Sequence, residues 1–182
     1  MEIAKTNIKD CFEIEPKVFK DQRGYFFESF NEQRFKELTG LDVNFVQDNQ
    51  SFSTKGVLRG LHYQEGESAQ AKLVRVLQGK VLDVAVDIRK DSPTYGNVFK
   101  TILSSDNHRQ LFIPRGCAHG FVTLSETATF FYKCDNYYDP KAEAGIIYND
   151  HNLNIDWEIN ESELIISEKD QVLPRFKDLI LH

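Results

Sequence analysis

Leu73-Val74-Arg75-Val76-Leu77-Gln78-Gly79-Lys80-Val81-Leu82-Asp83-Val84-Ala85-Val86 is the stretch whose reading decides the fold. Apolar residues recur at alternate positions on both sides of Gly79, the pattern of strands with a buried face, and glycine can take the positive φ of a tight turn. The spacing predicts a β-hairpin. Working outward, further strand candidates fall at residues 12–19, 25–30, 44–53, 57–64, 97–103, 110–114, 120–124 and 128–134, and the two arms of the turn extend to 71–77 and 81–88. The short runs are separated by turn residues, with no repeat, low-complexity tract or linker. This predicts one β-rich domain over residues 1–182, an all-β sandwich or barrel with few helices. One helix is expected: Asn31 can cap residues 32–38, Phe35 and Leu38 share a face, and Gly40 can end it. The run Ser162-Glu163-Leu164-Ile165-Ile166 is too short to assign to helix or strand.

Bulk properties narrow the function. A chain of 182 residues with 41% hydrophobic content can bury a substantial core. Its formal charge of −6 and lack of a basic block argue against nucleic acid as a partner, although Arg23, Arg59 and Lys72 could hold a small anion. Cys11, Cys117 and Cys134 are odd in number and widely spaced, which predicts reduced thiols in a cytoplasm. The N-terminus has no apolar secretion signal and no segment is long and uncharged enough to span a bilayer, so a soluble protein without membrane contact is expected.

The chemistry centres on Arg59-Gly60-Leu61-His62-Tyr63-Gln64, followed by Lys72 on the next strand. A neutral imidazole can remove a proton from carbon beside a ketone near neutral pH, and an ammonium can steady the enolate oxygen that results. A hydrogen-bonded core histidine is the competing reading. Arg59 and His62, three apart, face opposite sides of a regular strand, so they share a site only if Gly60 lies in a bulge. Strand periodicity also puts Gln47 and Asn49 on the face of Phe45, aligns Phe26 with Glu28, and aligns Phe130 with Tyr132. Solvated amides and ordinary core packing are the alternatives there.

Pro114-Arg115-Gly116-Cys117-Ala118-His119 resembles the second conserved box of the cupin superfamily. The first cupin box carries a His-x-His pair and a later acid for metal. Here the stretch reads His62-Tyr63-Gln64, with Lys72 where an anionic ligand would be wanted. Lysine is a poor neighbour for a divalent cation, and no third ligand is placed by spacing, so neither metal nor any other cofactor is expected.

The ordered pieces Asp21-Gln22-Arg23-Gly24-Tyr25-Phe26-Phe27-Glu28, Gln47-Asp48-Asn49-Gln50-Ser51, Leu58 to Gln64, Lys72 to Val76, Gly79 to Asp87, Pro114 to His119, Phe131-Tyr132-Lys133-Cys134 and Ser167-Glu168-Lys169-Asp170 cover nearly the whole chain. Together they resemble the dTDP-4-dehydrorhamnose 3,5-epimerases, metal-free jelly-roll cupins that mature deoxysugar nucleotides toward rhamnose for cell-surface polysaccharides. The resemblance implies His62 as base with Asp170 as its dyad partner, Lys72 at the enolate oxygen on carbon 4, and Tyr132 as acid from the opposite face of the sugar. It further implies that His119, paired with Asp83, supports the sugar, that Gln47 and Asn49 hold hydroxyls and the nucleotide end, and that Arg23 and Arg59 grip the diphosphate. Tyr138 would flank the thymine, and Glu143 and Lys169 match ligand-contacting positions. Arg23, Phe26 and Glu28 would complete a neighbour's site, making the chain a homodimer that exchanges N-terminal strands. Glu158 departs from the family, which often has proline after the tryptophan corresponding to Trp157. Three rival readings are an epimerase acting at carbon 3 alone, a metal-dependent cupin oxygenase and a silent sugar-nucleotide binding module.

Overall fold

A computed structural model describes residues 1–179. Strands run β1 Glu2–Lys5, β2 Phe12–Glu15, β3 Phe19–Asp21 and β4 Gly24–Phe26, then, after helix α1 (Glu32–Thr39), β5 Gln47–Thr54, β6 Val57–Gln64, β7 Lys72–Gln78, β8 Lys80–Asp87, β9 Val98–Ser104 and β10 Gln110–Ile113. They continue with β11 Cys117–Thr123, β12 Thr127–Cys134, β13 Glu143–Gly145 and β14 Ile165–Ile166, followed by helix α2 (Glu168–Gln171). One sheet has the order β1-β2-β10-β7-β12-β5, and the facing sheet β13-β6-β11-β8-β9 with β14 parallel to β6. The architecture is an all-β jelly roll.

The turn at Gly79 is real, with φ of 81°, but the two runs it joins are not a hairpin. β7 bonds to β10 and β12, whereas β8 bonds to β9 and β11. The chain crosses from one sheet to the other at Gly79, and the corner is tied elsewhere: Ser105 N–H donates to the Gly79 carbonyl and Leu124 N–H to that of Lys80. A Cβ at position 79 would lie 2.1 Å from the Thr127 carbonyl oxygen, so glycine is needed for space as well as for φ. Alternation shows that a strand buries one face but not which neighbour it bonds. β5–β6 and β11–β12 cross between the sheets in the same way.

Other boundaries shift for local reasons. The run at 12–19 divides where Pro16 stands, because proline donates no ladder hydrogen bond. The run at 25–30 stops at Phe26: Phe27 turns onto His108, Phe30 packs against Phe35 and Phe45, and the Ser29 carbonyl accepts from Gln110 Nε2. Glu28 therefore lies outside any strand, and its alignment with Phe26 does not hold. Helix α1 forms as the caps foretell, with Asn31 Oδ1 accepting from Arg34 N–H and Gly40 left-handed at φ 75°. The unassigned run at 162–166 is a 3-10 turn over Glu161–Glu163 followed by β14.

Between the sheets Val74, Val76, Val81, Ala85, Leu103, Phe121 and Phe130 form one apolar cluster. The outer face of the second sheet is covered by the C-terminal segment through Ile146, Leu153 and Trp157, and α1 covers part of the first sheet through Phe35 against Phe112. Glu158 takes φ of 58°, a conformation closed to proline, which matches the residue that stands there.

Candidate active site

At one end of the sandwich the apolar filling gives way to a cavity of about 530 Å³, lined by Arg59, His62, Lys72, His119, Tyr132 and Asp170, with Lys169 and Ser51 at its edges. The floor is aromatic, with the Phe121 and Phe130 rings stacked at 4.2 Å between centroids. His62 and His119 come from adjacent strands of one sheet, in direct register, while Lys72 and Tyr132 come from the facing sheet. A ligand in the cavity thus has the imidazoles on one side and the phenol and ammonium on the other.

The bulge expected at Gly60 is present. β11 and β6 pair His119 with His62 but Phe121 with Arg59, so β6 carries one extra residue between them. Gly60 has φ of 116°, and a Cβ there would lie 2.6 Å from the His119 carbonyl oxygen. The shift turns Arg59 and His62 toward the same cavity.

His62 Nε2 lies 2.7 Å from Asp170 Oδ1, and the Gly60 N–H donates to Asp170 Oδ2 at 3.2 Å. Asp170 is carried by α2, whose first turn is capped by Ser167 Oγ accepting from Asp170 N–H. Burial pushes the Asp170 carboxyl up, but the hydrogen bonds from His62, Gly60 and Ser167 outweigh it and hold the group below the usual carboxylate range. A carboxylate acceptor favours the tautomer with the proton on Nε2 and leaves Nδ1 able to accept one. His119 repeats the pairing with Asp83, 2.9 Å from Nε2 to Oδ2, deeper in the core.

Burial lowers the Lys72 pKa, an effect partly offset by Cys134, Asp83 and Glu143. Among the described residues its ammonium has no ion pair, and it lies 5.9 Å from the Tyr132 ring centroid. Burial raises the Tyr132 phenol, so it stays protonated across the neutral range. At the mouth, Tyr138 Oη donates to Glu143 Oε2 at 2.7 Å, and Lys169 Nζ lies 2.6 Å from the same oxygen. Gln47 and Asn49 share the inner face, opposite Cys134 and Tyr132, and are bonded to each other at 3.1 Å. Gln47 Oε1 also accepts from the Tyr138 N–H.

Eight expected residues are not among those that line the cavity: Asp83 reaches it only through His119, Gln47, Asn49, Tyr138 and Glu143 form a hydrogen-bonded chain that ends on the lining residue Lys169, and Arg23, Phe26 and Glu28 lie apart from it. Arg23, its side chain 86% exposed, pairs with Asp21 at the tip of the β3–β4 ribbon; Phe26 is exposed on the same ribbon, and Glu28 sits beside Asn31 and Arg34. Conversely, Ser51, Phe121, Ile165, Ile166 and Ser167 line the cavity without having been singled out. The alternation that selects Gln47 and Asn49 continues to Ser51 and Ser53, and Ser167-x-x-Asp170 has helix-cap spacing, so both signals were available. No three His, Cys, Asp or Glu side chains gather into a metal-holding group among the described residues.

The profile of the dTDP-4-dehydrorhamnose 3,5-epimerase family matches residues 5–178. The chain belongs to this family. It is 54% identical over 181 residues to the dTDP-4-dehydrorhamnose 3,5-epimerase of Salmonella typhimurium, covering 100% of this chain and 98% of that one. The crystal structure of the Elizabethkingia anophelis epimerase superposes with a TM-score of 0.95 at 57% identity, covering 98% of this chain and 97% of the other. A Legionella pneumophila dTDP-6-deoxy-D-glucose-3,5-epimerase in complex with dTDP-4-keto-L-rhamnose gives 0.93 at 50%, covering 98% and 94%. The epimerase fold is thus matched over nearly its full length.

Proposed function

We propose that this chain is an isomerase that converts dTDP-4-dehydro-6-deoxyglucose to dTDP-4-dehydrorhamnose, inverting carbons 3 and 5 by proton removal and return through an enolate. The observation that carries the reading is the His62–Asp170 pair facing Tyr132 and Lys72 across one cavity. In each half-reaction His62 Nδ1 takes the proton from the carbon next to the C4 ketone, and the electron pair moves into the C–C bond as the carbonyl oxygen gains charge. Lys72 neutralises that oxygen, and Asp170 supports the imidazolium. At carbon 5 the Tyr132 hydroxyl delivers a proton to the opposite face, which inverts the centre. His119 with Asp83 supports the sugar from the base's side, and Arg59 holds the diphosphate, for which a guanidinium fork is suited. Gln47, Asn49, Tyr138, Glu143 and Lys169 serve the nucleotide end.

The whole chain, residues 1–182, acts as one domain of cupin type. Arg23, Phe26 and Glu28 enter the cavity of a second copy, so the active species is a homodimer with exchanged N-terminal strands. Their exposure away from the chain's own cavity supports this, and sedimentation of a fully active monomer would overturn it. Neither metal nor cofactor takes part: Lys72 brings a cation into the cavity where a divalent ion would need an anionic ligand. Activity should survive exhaustive chelation; activity restored by a divalent ion after chelation would refute the point. No helix is long and apolar enough to cross a membrane among the described residues, and the reaction is assigned to the cytoplasm on the way to rhamnose.

The deciding experiment is incubation with dTDP-4-dehydro-6-deoxyglucose in deuterated water, with deuterium located by NMR. Label at carbons 3 and 5 of an inverted product supports the double epimerase. Label and inversion at carbon 3 alone would make the chain a single-centre enzyme.

A further inference from the structure

Ser53 is buried on the inner face of β5, two residues beyond Ser51 and outside every role assigned above. Its hydroxyl oxygen accepts from Arg59 Nε at 3.2 Å, and the neighbouring Phe52 carbonyl accepts from Arg59 NH2 at 3.3 Å. These two bonds cross from one sheet to the other, because β5 and β6 belong to different sheets. They engage one edge of the guanidinium, and its remaining N–H groups are free to meet a ligand in the cavity that Arg59 lines.

An arginine on a bulged strand has four side-chain torsions to fix before its fork can meet two phosphate oxygens. The bulge at Gly60 sets only the direction in which the side chain leaves the backbone. The planar group must also be held against rotation about its own axis, which the Ser53 oxygen at Nε does together with the Phe52 carbonyl at NH2. Ser53 is buried, so its oxygen has no freedom to follow a guanidinium that swings away. Without the hydroxyl, the Nε–H would lose its acceptor on the chain and the fork would sample other orientations.

We infer that Ser53 is a positioning residue for diphosphate recognition, pre-orienting the Arg59 guanidinium so that nucleoside diphosphate binding requires no ordering of that side chain. The inference rests on the reading of Arg59 as the diphosphate grip. It makes Ser53 a determinant of affinity that acts on the diphosphate and not on the base or the sugar.

Calorimetric titration with dTDP and with thymidine separates these claims. Ser53→Ala should weaken dTDP about five- to tenfold, the loss expected for one hydrogen bond, and leave thymidine binding unchanged. KM for the sugar nucleotide should rise more than kcat falls, and Ser53→Thr, which keeps the hydroxyl, should restore both. Ser53→Cys, close to serine in shape with a sulfur that accepts only weakly, should repeat the alanine pattern if Ser53→Ala folds poorly. Arg59→Ala should weaken dTDP further, and adding Ser53→Ala to it should then cost less than about twofold. Equal weakening of dTDP and thymidine by Ser53→Ala, or an undiminished loss in the Arg59→Ala background, would show that the serine acts through general packing and would overturn the inference. If Arg59→Ala weakens dTDP but Ser53→Ala does not, the positioning role falls while the diphosphate reading stands. If Arg59→Ala itself leaves dTDP binding unchanged, the reading of Arg59 falls first and the inference with it.

Discussion

Two histidine–aspartate pairs stand side by side on neighbouring strands, His62 with Asp170 and His119 with Asp83, both joined through Nε2. Their surroundings differ. The His62 side chain is 29% exposed, and its carboxylate also accepts the Gly60 N–H. His119 is 8% exposed, and Asp83 is fully buried with Oδ1 lacking any partner among the described residues. A base must reach its substrate and shed its proton again, which suits the accessible pair with a well-hydrogen-bonded carboxylate. The pair with little access to a ligand suits fixed support. Chemically equal pairs thus differ in access and hydrogen bonding, which accords with the separate roles proposed for them.

The largest expected effect tests that division directly. His62→Ala should lower kcat by about 10²–10⁴, the usual contribution of a general base, and abolish solvent-hydrogen exchange while dTDP still binds. His119→Ala should lower turnover less and leave exchange measurable. If the two variants lose exchange equally, the roles are shared and the comparison breaks. The carboxylates should follow their partners: Asp170→Asn should slow kcat about tenfold to a hundredfold and Asp83→Asn under about tenfold, read by initial rates at saturating substrate.

Tyr132 sharpens the picture from the facing sheet. Tyr132→Phe keeps the ring on Phe130 and leaves His62 and Lys72 in place, so the enolate should still form. Exchange at carbon 5 should persist in deuterated water with little inverted product, because protons return from the side of His62. Epimerisation of carbon 5 at near wild-type rate would mean that another group is the acid.

Both histidine–aspartate pairings came from the family resemblance. Asp83 and His119 do share the inward faces of their strands with Val81, Ala85, Cys117 and Phe121, which alternation alone could have shown for each residue but not for the pair. The bulge at Gly60 followed from requiring Arg59 and His62 to share a site. Asp170 lies 108 residues from His62 on a four-residue helix, and no local pattern links them, so only family resemblance joined the two. The Gly79 corner went the other way, since its alternation was correct and its pairing was not. Periodicity reports which face is buried, whereas partner choice is decided by the whole chain. The N-terminal ribbon was legible as strand, whereas its separation from the cavity of its own chain was expected only through the family resemblance.

Lys72 offers a small effect on stability, a shift of about a few degrees, and with it a test of how much the buried pair matters to its surroundings. Its pKa is lowered by burial, with Asp83 among the charges that partly offset the cost. Below its folded pKa the lysine is charged in both the folded and unfolded states, and the folded state carries the whole cost of burying the ammonium. As pH rises from the folded value toward the ordinary 10.5, the folded state sheds the proton first and wild-type stability increases. Lys72→Met, apolar and similarly long, should therefore unfold at a temperature higher by about a few degrees at pH 7, while kcat falls by about 10²–10³ with the enolate oxygen unsupported. The gain in melting temperature should shrink as pH rises through the folded pKa, where the wild-type lysine loses its charge too. A methionine variant less stable than wild type at pH 7 would mean that attraction to Asp83 and its neighbours exceeds the burial cost. The second pair would then be a stabilising counter-charge for Lys72 as well as a support for the sugar.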